Sequence, residues 1–163
     1  FARKGEEGGG SVLGDYGHHP TELTATLSAL ADCFPARRKV IVFQPHRYPR
    51  TESLFEEFLS AFNKADRLIM TEIYSAGEKP IEGISGRLLA EAIRSHGHRD
   101  VIFHEELSSL AETAVELLEP GDVLLTLGAG SVNLVGEESL RLLKMAVSRL
   151  ERTGDSALKE EDR

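Results

Sequence analysis

In the run Gln44-Pro45-His46-Arg47-Tyr48-Pro49-Arg50, two guanidinium groups and an imidazole stand just ahead of an apolar segment of helical spacing that begins near Thr51. Arginine is the side chain best shaped to grip a carboxylate or phosphate through two parallel hydrogen bonds. Cations at an exposed helix N-terminus are unfavourable by ~0.3–1 kcal/mol each, so the placement reads as an anion site, against the alternative of a solvated arginine pair on a loop. A second run, Gly14-Asp15-Tyr16-Gly17-His18-His19-Pro20-Thr21-Glu22, sets two histidines where Pro20 suits the first turn of a helix and Glu22 its positive end. Free N–H groups there favour a phosphate or carboxylate and the dipole disfavours imidazolium.

Two further runs are weaker. Tyr74-Ser75-Ala76-Gly77-Glu78-Lys79-Pro80-Ile81-Glu82-Gly83 is longer than the ~2–6 residues usual in a βα connection, which tilts it toward function. Gly128-Ala129-Gly130-Ser131 has the G-x-G of a phosphate cradle, but Asn133 stands where the dinucleotide fingerprint has its third glycine. Other chemistries are thinner still. His18, His19, His46 and Glu22 lack a zincin spacing, and Arg47 and Arg50 would repel a cation, so no metal site is expected. Cys33 shares a segment with core-facing leucines and reads as inert and buried. His96, His98 and His104 read as helix-end and strand-end residues, and Ser75 and Ser131 have no identifiable base.

These runs need a frame that brings them together. Short β-rich stretches at Ser11–Asp15, Lys39–Gln44, Arg67–Glu72, Asp100–His104 and Asp122–Leu127 alternate with helical stripes. The stripes are Leu23, Leu27, Leu30, Phe34; a helix over Thr51–Asn63 with Leu54, Phe55, Phe58, Phe62; then Leu88 to Ile93, Leu110 to Leu118, and about Glu137 to Arg152. The alternation predicts an α/β sandwich around a mostly parallel sheet, with the four runs on the turns that leave its carboxyl edge, where ligands bind in such sheets.

A length of 163 residues argues for one domain. With 40% hydrophobic and 28% charged residues the chain is an ordinary globular one, and its apolar runs fall far short of the ~20 residues a membrane span needs. The net charge of −8 excludes general attraction to nucleic acid or anionic membrane, so any anion must be held by a local basic cluster. A cytoplasmic protein is expected, consistent with a single cysteine. FARKGEEGGG, which begins on Phe rather than Met, reads as a linker in an excised piece of a longer protein, and the polar TGDSALKEEDR as a flexible tail.

The first two runs together with Gly77-Glu78-Lys79-Pro80-Ile81-Glu82-Gly83 and Gly128-Ala129-Gly130, in this order over about residues 1 to 150, resemble the C-terminal domain of the Mur ligases. Within the family they most resemble the members that join L-alanine to UDP-N-acetylmuramate in peptidoglycan biosynthesis. The resemblance implies a Rossmann-like three-layer sandwich of five or six strands with helices on both faces. It implies a ligase that uses ATP, with Mg2+, to phosphorylate the muramoyl carboxylate before the amine of the amino acid attacks the acyl phosphate. No G-x-x-x-x-G-K-[ST] occurs here, so the chain resembles the third domain alone, inactive in isolation and without tightly bound ATP or Mg2+. Residues 1–10 would be the hinge remnant from a preceding ATP-binding domain, 11–152 the domain proper and 153–163 the tail; the missing N-terminal and central domains would be its partners.

Carried over by motif, Asp15 and Tyr16 would face the ATP ribose and adenine, and His18 would lie near the reacting phosphate and carboxyl groups as the catalytic candidate. His46, Arg47 and Arg50 would hold the carboxylate of the incoming amino acid. Relatives often carry two acids where this chain has Gly14-Asp15, and Asp or Asn with Ile-Gly where it has Ser131-Val132-Asn133. The alternatives are a recycling ligase for an intact tripeptide, which usually has Phe-Ala in place of Tyr16-Gly17, and a non-catalytic, flavodoxin-like anion-binding module.

Overall fold

The computed structural model describes the backbone of residues 1–161 and the side chains of residues 1–156. In chain order the elements are β1 Ala2–Glu7, β2 Gly10–Asp15, α1 Pro20–Cys33, β3 Lys39–Phe43, α2 Tyr48–Ser53, α3 Phe55–Phe58, β4 Arg67–Met70, α4 Gly86–Ser95, β5 Val101–Phe103, α5 Leu110–Leu117, β6 Val123–Leu127 and α6 Asn133–Glu161. One six-stranded sheet runs in the order β1-β2-β6-β3-β4-β5. All its pairings are parallel except β1 with β2.

Side chains alternate across the sheet and build two cores. Leu13, Ile41, Phe43, Leu68 and Leu125 face α1, α3 and α4, where Leu27, Phe58 and Leu89 meet them. Val12, Val40, Val42, Ile69 and Leu124 face α5 and α6, where Ala114 and Val135 meet them. A Val or Leu fully buried this way contributes ~1.5–3 kcal/mol, so both helical layers are anchored. The predicted α/β sandwich with helices on both faces is therefore the fold.

Several boundaries differ from the sequence reading. Strands β3 to β5 stop before Gln44, Thr71 and His104, each of which donates a last N–H to the neighbouring strand before the chain enters the carboxyl-edge loops. The Thr51–Asn63 helix is instead two short ones that meet at Leu54, whose ψ of 9° breaks the ladder. Helix α2 starts early because Tyr48-Pro49 fills its first turn. Arg50 consequently lies in its last turn, where a cation is favourable, and the electrostatic penalty argued from the sequence does not apply to it.

The linker-like strip at the start is a strand: β1 pairs with β2 from Ala2↔Gly14 to Glu7↔Gly10, with a bulge between Arg3 and Gly5. An edge strand needs one partner only, and its polar side chains face water. At the other end α6 continues through Thr153 to Glu161 where a frayed tail was expected, since Ala157, Leu158, Lys159 and Glu160 are good helix formers; Asp162 and Arg163 lie outside the described residues. Cys33 is exposed, not buried, because the buried stripe of α1 steps through Leu23, Leu27 and Leu30 toward Phe34 and leaves position 33 beside it.

Candidate functional site

The four runs singled out in the sequence leave the same edge of the sheet and are tied to one another through the backbone. Gly128 N–H donates to Asp15 O at 3.1 Å and Gln44 N–H to Leu127 O at 3.1 Å. Arg47 N–H donates to Tyr74 O, and Tyr74 N–H to Pro45 O, both at 2.8 Å. This last pair prolongs the β3–β4 pairing beyond the strands as a parallel bridge between His46 and Tyr74.

Arg47 sits at the junction with φ +70°, in a region L-residues rarely occupy. Such a conformation costs on the order of 1–3 kcal/mol and persists only where the surroundings over-determine it. Here they do. The Tyr74 bracket holds its N–H, and the buried Thr51 donates both N–H and Oγ1 to its carbonyl, at 3.2 and 2.8 Å. Its guanidinium is fixed by Glu78, whose Oε1 accepts from Nε at 2.6 Å and also from Nη2. Glu78 Oε2 is shut off from solvent and has no hydrogen-bond partner.

The His46 ring has two ring neighbours. The Tyr74 ring stacks on it at 5.4 Å and 15°, and the His18 ring approaches, tilted by 46°, to 5.8 Å. Burial, then the charges of Arg50, His18 and Arg47, hold the His46 pKa below its ordinary value. A neutral imidazole has a lone pair to offer, and Arg50 Nη1 lies 3.0 Å from His46 Nδ1 as its donor. One guanidinium is thus oriented by an uncharged acceptor and the other by a carboxylate.

The loop that carries Tyr74 and Glu78 is pinned at both ends by one side chain. Glu72 Oε1 accepts from Ile73 N–H at 2.9 Å and from Gly86 N–H at 2.7 Å, joining the exit of β4 to the start of α4. Gly86 allows this approach, since a Cβ there would stand 2.4 Å from Thr71 O.

The glycines of the last turn serve packing. A Cβ on Gly130 would come to 3.0 Å from both Tyr74 Cγ and Gln44 Oε1. The nearly buried Gln44 in turn accepts from Val132 N–H at 3.3 Å, and Asn133 Nδ2 donates to Gly128 O and Gly130 O, both at 3.2 Å. The turn is folded around Gln44 and Tyr74 rather than left open as a cradle.

The β2–α1 turn is built more loosely. Asp15 Oδ1 accepts from Gly17 N–H at 2.7 Å, which closes a local turn. His19 is the N-cap of α1, its Nδ1 accepting from Thr21 N–H at 3.1 Å, so it serves the helix rather than an anion. His18 reaches the cluster through His46. The Tyr16 ring points outward, 73% exposed, and meets no ring of the cluster among the described residues; only its backbone carbonyl is engaged, 3.3 Å from His18 Nδ1.

His18, His46, Arg47 and Arg50 are therefore brought together, Asp15 is joined to them through the backbone, and Tyr16 stands apart. Sequence reasoning gave no role to Tyr74, Glu78 or Gln44. The length of the third run was the signal for the first two; nothing in the sequence pairs Glu78 with an arginine 31 positions away. Among the described residues no group of three or more His, Cys, Asp or Glu side chains converges to hold a metal ion.

The family model for the Mur ligase, glutamate ligase domain matches residues 1–130. A UDP-N-acetylmuramate–L-alanine ligase of Geobacter sp. (strain M21) is 54% identical over 90% of this chain and 32% of its own length. That of Syntrophobacter fumaroxidans is 50% identical over 88% of this chain and 31% of its own. The chain thus spans about a third of the curated relatives it matches. Among solved structures, a UDP-N-acetylmuramate-alanine ligase from Thermotoga maritima superposes with a TM-score of 0.67 at 24% identity, covering 84% of this chain and 27% of that one. A murein peptide ligase from Psychrobacter arcticus gives 0.70 at 17% identity, covering 87% and 29%. At these identities the two share the fold.

Proposed function

The chain belongs to the Mur ligase family, and from that premise we propose that it is the C-terminal, amino-acid-delivering part of an ATP-dependent ligase that joins L-alanine to UDP-N-acetylmuramate. The observation that carries this reading is the convergence of Arg47, Arg50 and a neutral His46 on one edge of the sheet. Relatives at 50–54% identity bear the name of the L-alanine reaction, which favours it over a tripeptide-recycling ligase or a non-catalytic module.

In this reading the two guanidinium groups take the carboxylate of alanine. Arg50 is aimed by His46, which keeps Arg50's charge uncompensated until substrate arrives. His18, 5.8 Å from His46, stands beside the amino acid on the side of the β2–α1 turn, where the acyl phosphate would be presented. Asp15 and Tyr16 offer a polar group and an exposed ring to the ribose and adenine of ATP.

Bound ATP with Mg2+ supplies the phosphoryl group that activates the muramoyl carboxylate. In this reading the ion and most of the phosphate contacts belong to the remaining two thirds of the longer protein. The isolated chain is expected neither to hydrolyse ATP nor to form product. Its setting would be the cytoplasm, where ATP is available; no described helix is long and apolar enough to cross a membrane.

The test is phosphate release by the full-length protein with UDP-N-acetylmuramate, ATP and, in turn, L-alanine, L-serine, glycine or a muramyl tripeptide. Release that depends on L-alanine supports the reading, and release with the tripeptide alone overturns it. One methyl group in a pocket is worth only ~1–3 kcal/mol, so slower turnover of serine and glycine is compatible with it.

A further inference from the structure

We propose that Glu78 is the anchor for the ammonium group of the incoming amino acid, so that Arg47, Arg50 and Glu78 together recognise a zwitterion and not merely a carboxylate. The inference rests on the ligase reading and extends it to a residue to which that reading gives no task.

The argument begins with an imbalance. Glu78 spends Oε1 on two donors of a single arginine, while Oε2 of the same carboxylate is shut away from water without any donor. A buried acceptor with no partner is costly, and more so when it is charged. Such groups in native structures call for an explanation. Among the described residues only one other buried side-chain oxygen, Ser139 Oγ, shares this condition, and it is an uncharged hydroxyl on α6, away from the carboxyl edge.

The position of the acid supplies the second step. Glu78 lies on a loop whose ends are clamped by Glu72 and whose Tyr74 is bonded to the backbone of the arginine run, so its carboxylate is fixed relative to Arg47. An α-amino acid presents its carboxylate and its ammonium on one carbon. A site for it needs cationic and anionic groups side by side. Arg47 beside Glu78 meets that need, with Nη1 of Arg47 outside the pair and the Arg50 guanidinium one helical turn away. An acid that served only to neutralise Arg47 would weaken the grip on a substrate carboxylate. One that also receives the ammonium recovers that loss for a zwitterion alone.

The experiment uses the full-length enzyme and two probes of similar size, L-alanine as substrate and L-lactate, which has a hydroxyl in place of the ammonium, as competitive inhibitor. A hydrogen bond to a charged group is worth about ten- to hundred-fold in affinity. Glu78→Gln should raise KM for L-alanine by about that factor while KM for ATP and the Ki of L-lactate stay within about two-fold or the Ki falls, because Arg47 loses its competing counter-ion. If L-lactate weakens in step with L-alanine, or KM for L-alanine does not move, Glu78 is only the counter-ion of Arg47 and the proposal is wrong. Should the variant fail to fold, the wild-type enzyme still decides: L-lactate, which keeps the carboxylate and lacks the ammonium, must then compete with a Ki at least about ten-fold above KM for L-alanine, and a Ki equal to that KM overturns the assignment. Absence of any L-alanine-dependent activity in the wild type would instead overturn the ligase reading on which this one rests.

Discussion

The β3–α2 turn and the β2–α1 turn meet at the two histidine rings, yet one is locked and the other open. The N–H and C=O of Arg47 both have partners, the strained φ is held from two sides and both guanidinium groups are oriented by neighbouring side chains. Around Tyr16 one local turn and one helix cap are formed, and the largest side chain stands in solvent. Prior ordering lowers the entropic cost of binding, and it matters most for a small ligand with few contacts to offer. The locked turn therefore suits an amino acid, and the open one a larger ligand that is enclosed only when another part of the protein closes on it.

The largest expected effect breaks the locked side. Arg47→Ala or Arg50→Ala in the full-length enzyme should lower kcat/KM for L-alanine by about ten- to hundred-fold, with the loss chiefly in KM and little change in KM for ATP. Lysine should rescue poorly, because it keeps the charge and loses the planar fork. If alanine kinetics hold while ATP binding collapses, the pair is a phosphate clamp.

A smaller effect is expected from the packing beneath it. Gly130→Ala must push the Tyr74 ring, which is stacked on His46. Overpacking of this kind costs ~1–3 kcal/mol, to be read as a shift of the urea midpoint of the isolated chain. In a Tyr74→Ala background the added methyl has no ring to displace and meets only Gln44 Oε1, also at 3.0 Å, so the cost of Gly130→Ala should fall without vanishing; equal costs in both backgrounds would show that Gly130 does not act through Tyr74.

That contrast also marks what could be read from the sequence. The parallel strands were legible because Val40-Ile41-Val42-Phe43 and Leu124-Leu125 are continuous apolar runs bounded by polar turns, as strands buried on both faces must be. The arginine run was legible as an anion site through side-chain chemistry alone. Strand β1 was not, since an edge strand lacks that burial signature. The pairing of Arg47 with Glu78 and the contact of Gly130 with Tyr74 join residues distant in sequence, and no local pattern encodes them. The break at Leu54 left no mark in the spacing, since Phe58 and Phe62, four positions apart, would both reach Phe43 from an unbroken helix as they do here, at 5.7 and 5.0 Å between rings.

On the open side the expectation is near silence in stability. Tyr16→Ala removes a side chain that is 73% exposed, so the urea midpoint of the isolated chain should correspond to a change within about 0.5 kcal/mol. In the full-length enzyme the same variant should raise KM for ATP and spare KM for L-alanine, the reverse of the arginine variants. A fall in stability as large as that of Gly130→Ala would mean that Tyr16 packs against the domain and that the two turns are not built on different plans.

The smallest effect concerns His46 and follows from the sign of its shift. Its pKa in the folded chain lies below the ordinary 6.5 because burial and neighbouring cations oppose the imidazolium. At pH values between the folded and unfolded pKa the unfolded chain carries more protons, so folding stability rises with pH there. The contribution is fully present above about pH 6.5 and is lost as pH falls through the folded value. The urea midpoint of the isolated chain should therefore drop on acidification more steeply than that of His46→Gln; the other five histidines, common to both proteins, cancel in the difference. A carboxylate bound between Arg47 and Arg50 removes part of the opposing charge, so saturating acetate should narrow that difference. Identical acid slopes in the two proteins would show that His46 is not held neutral by its neighbours, and Arg50 would then lack the uncharged acceptor that aims it at substrate.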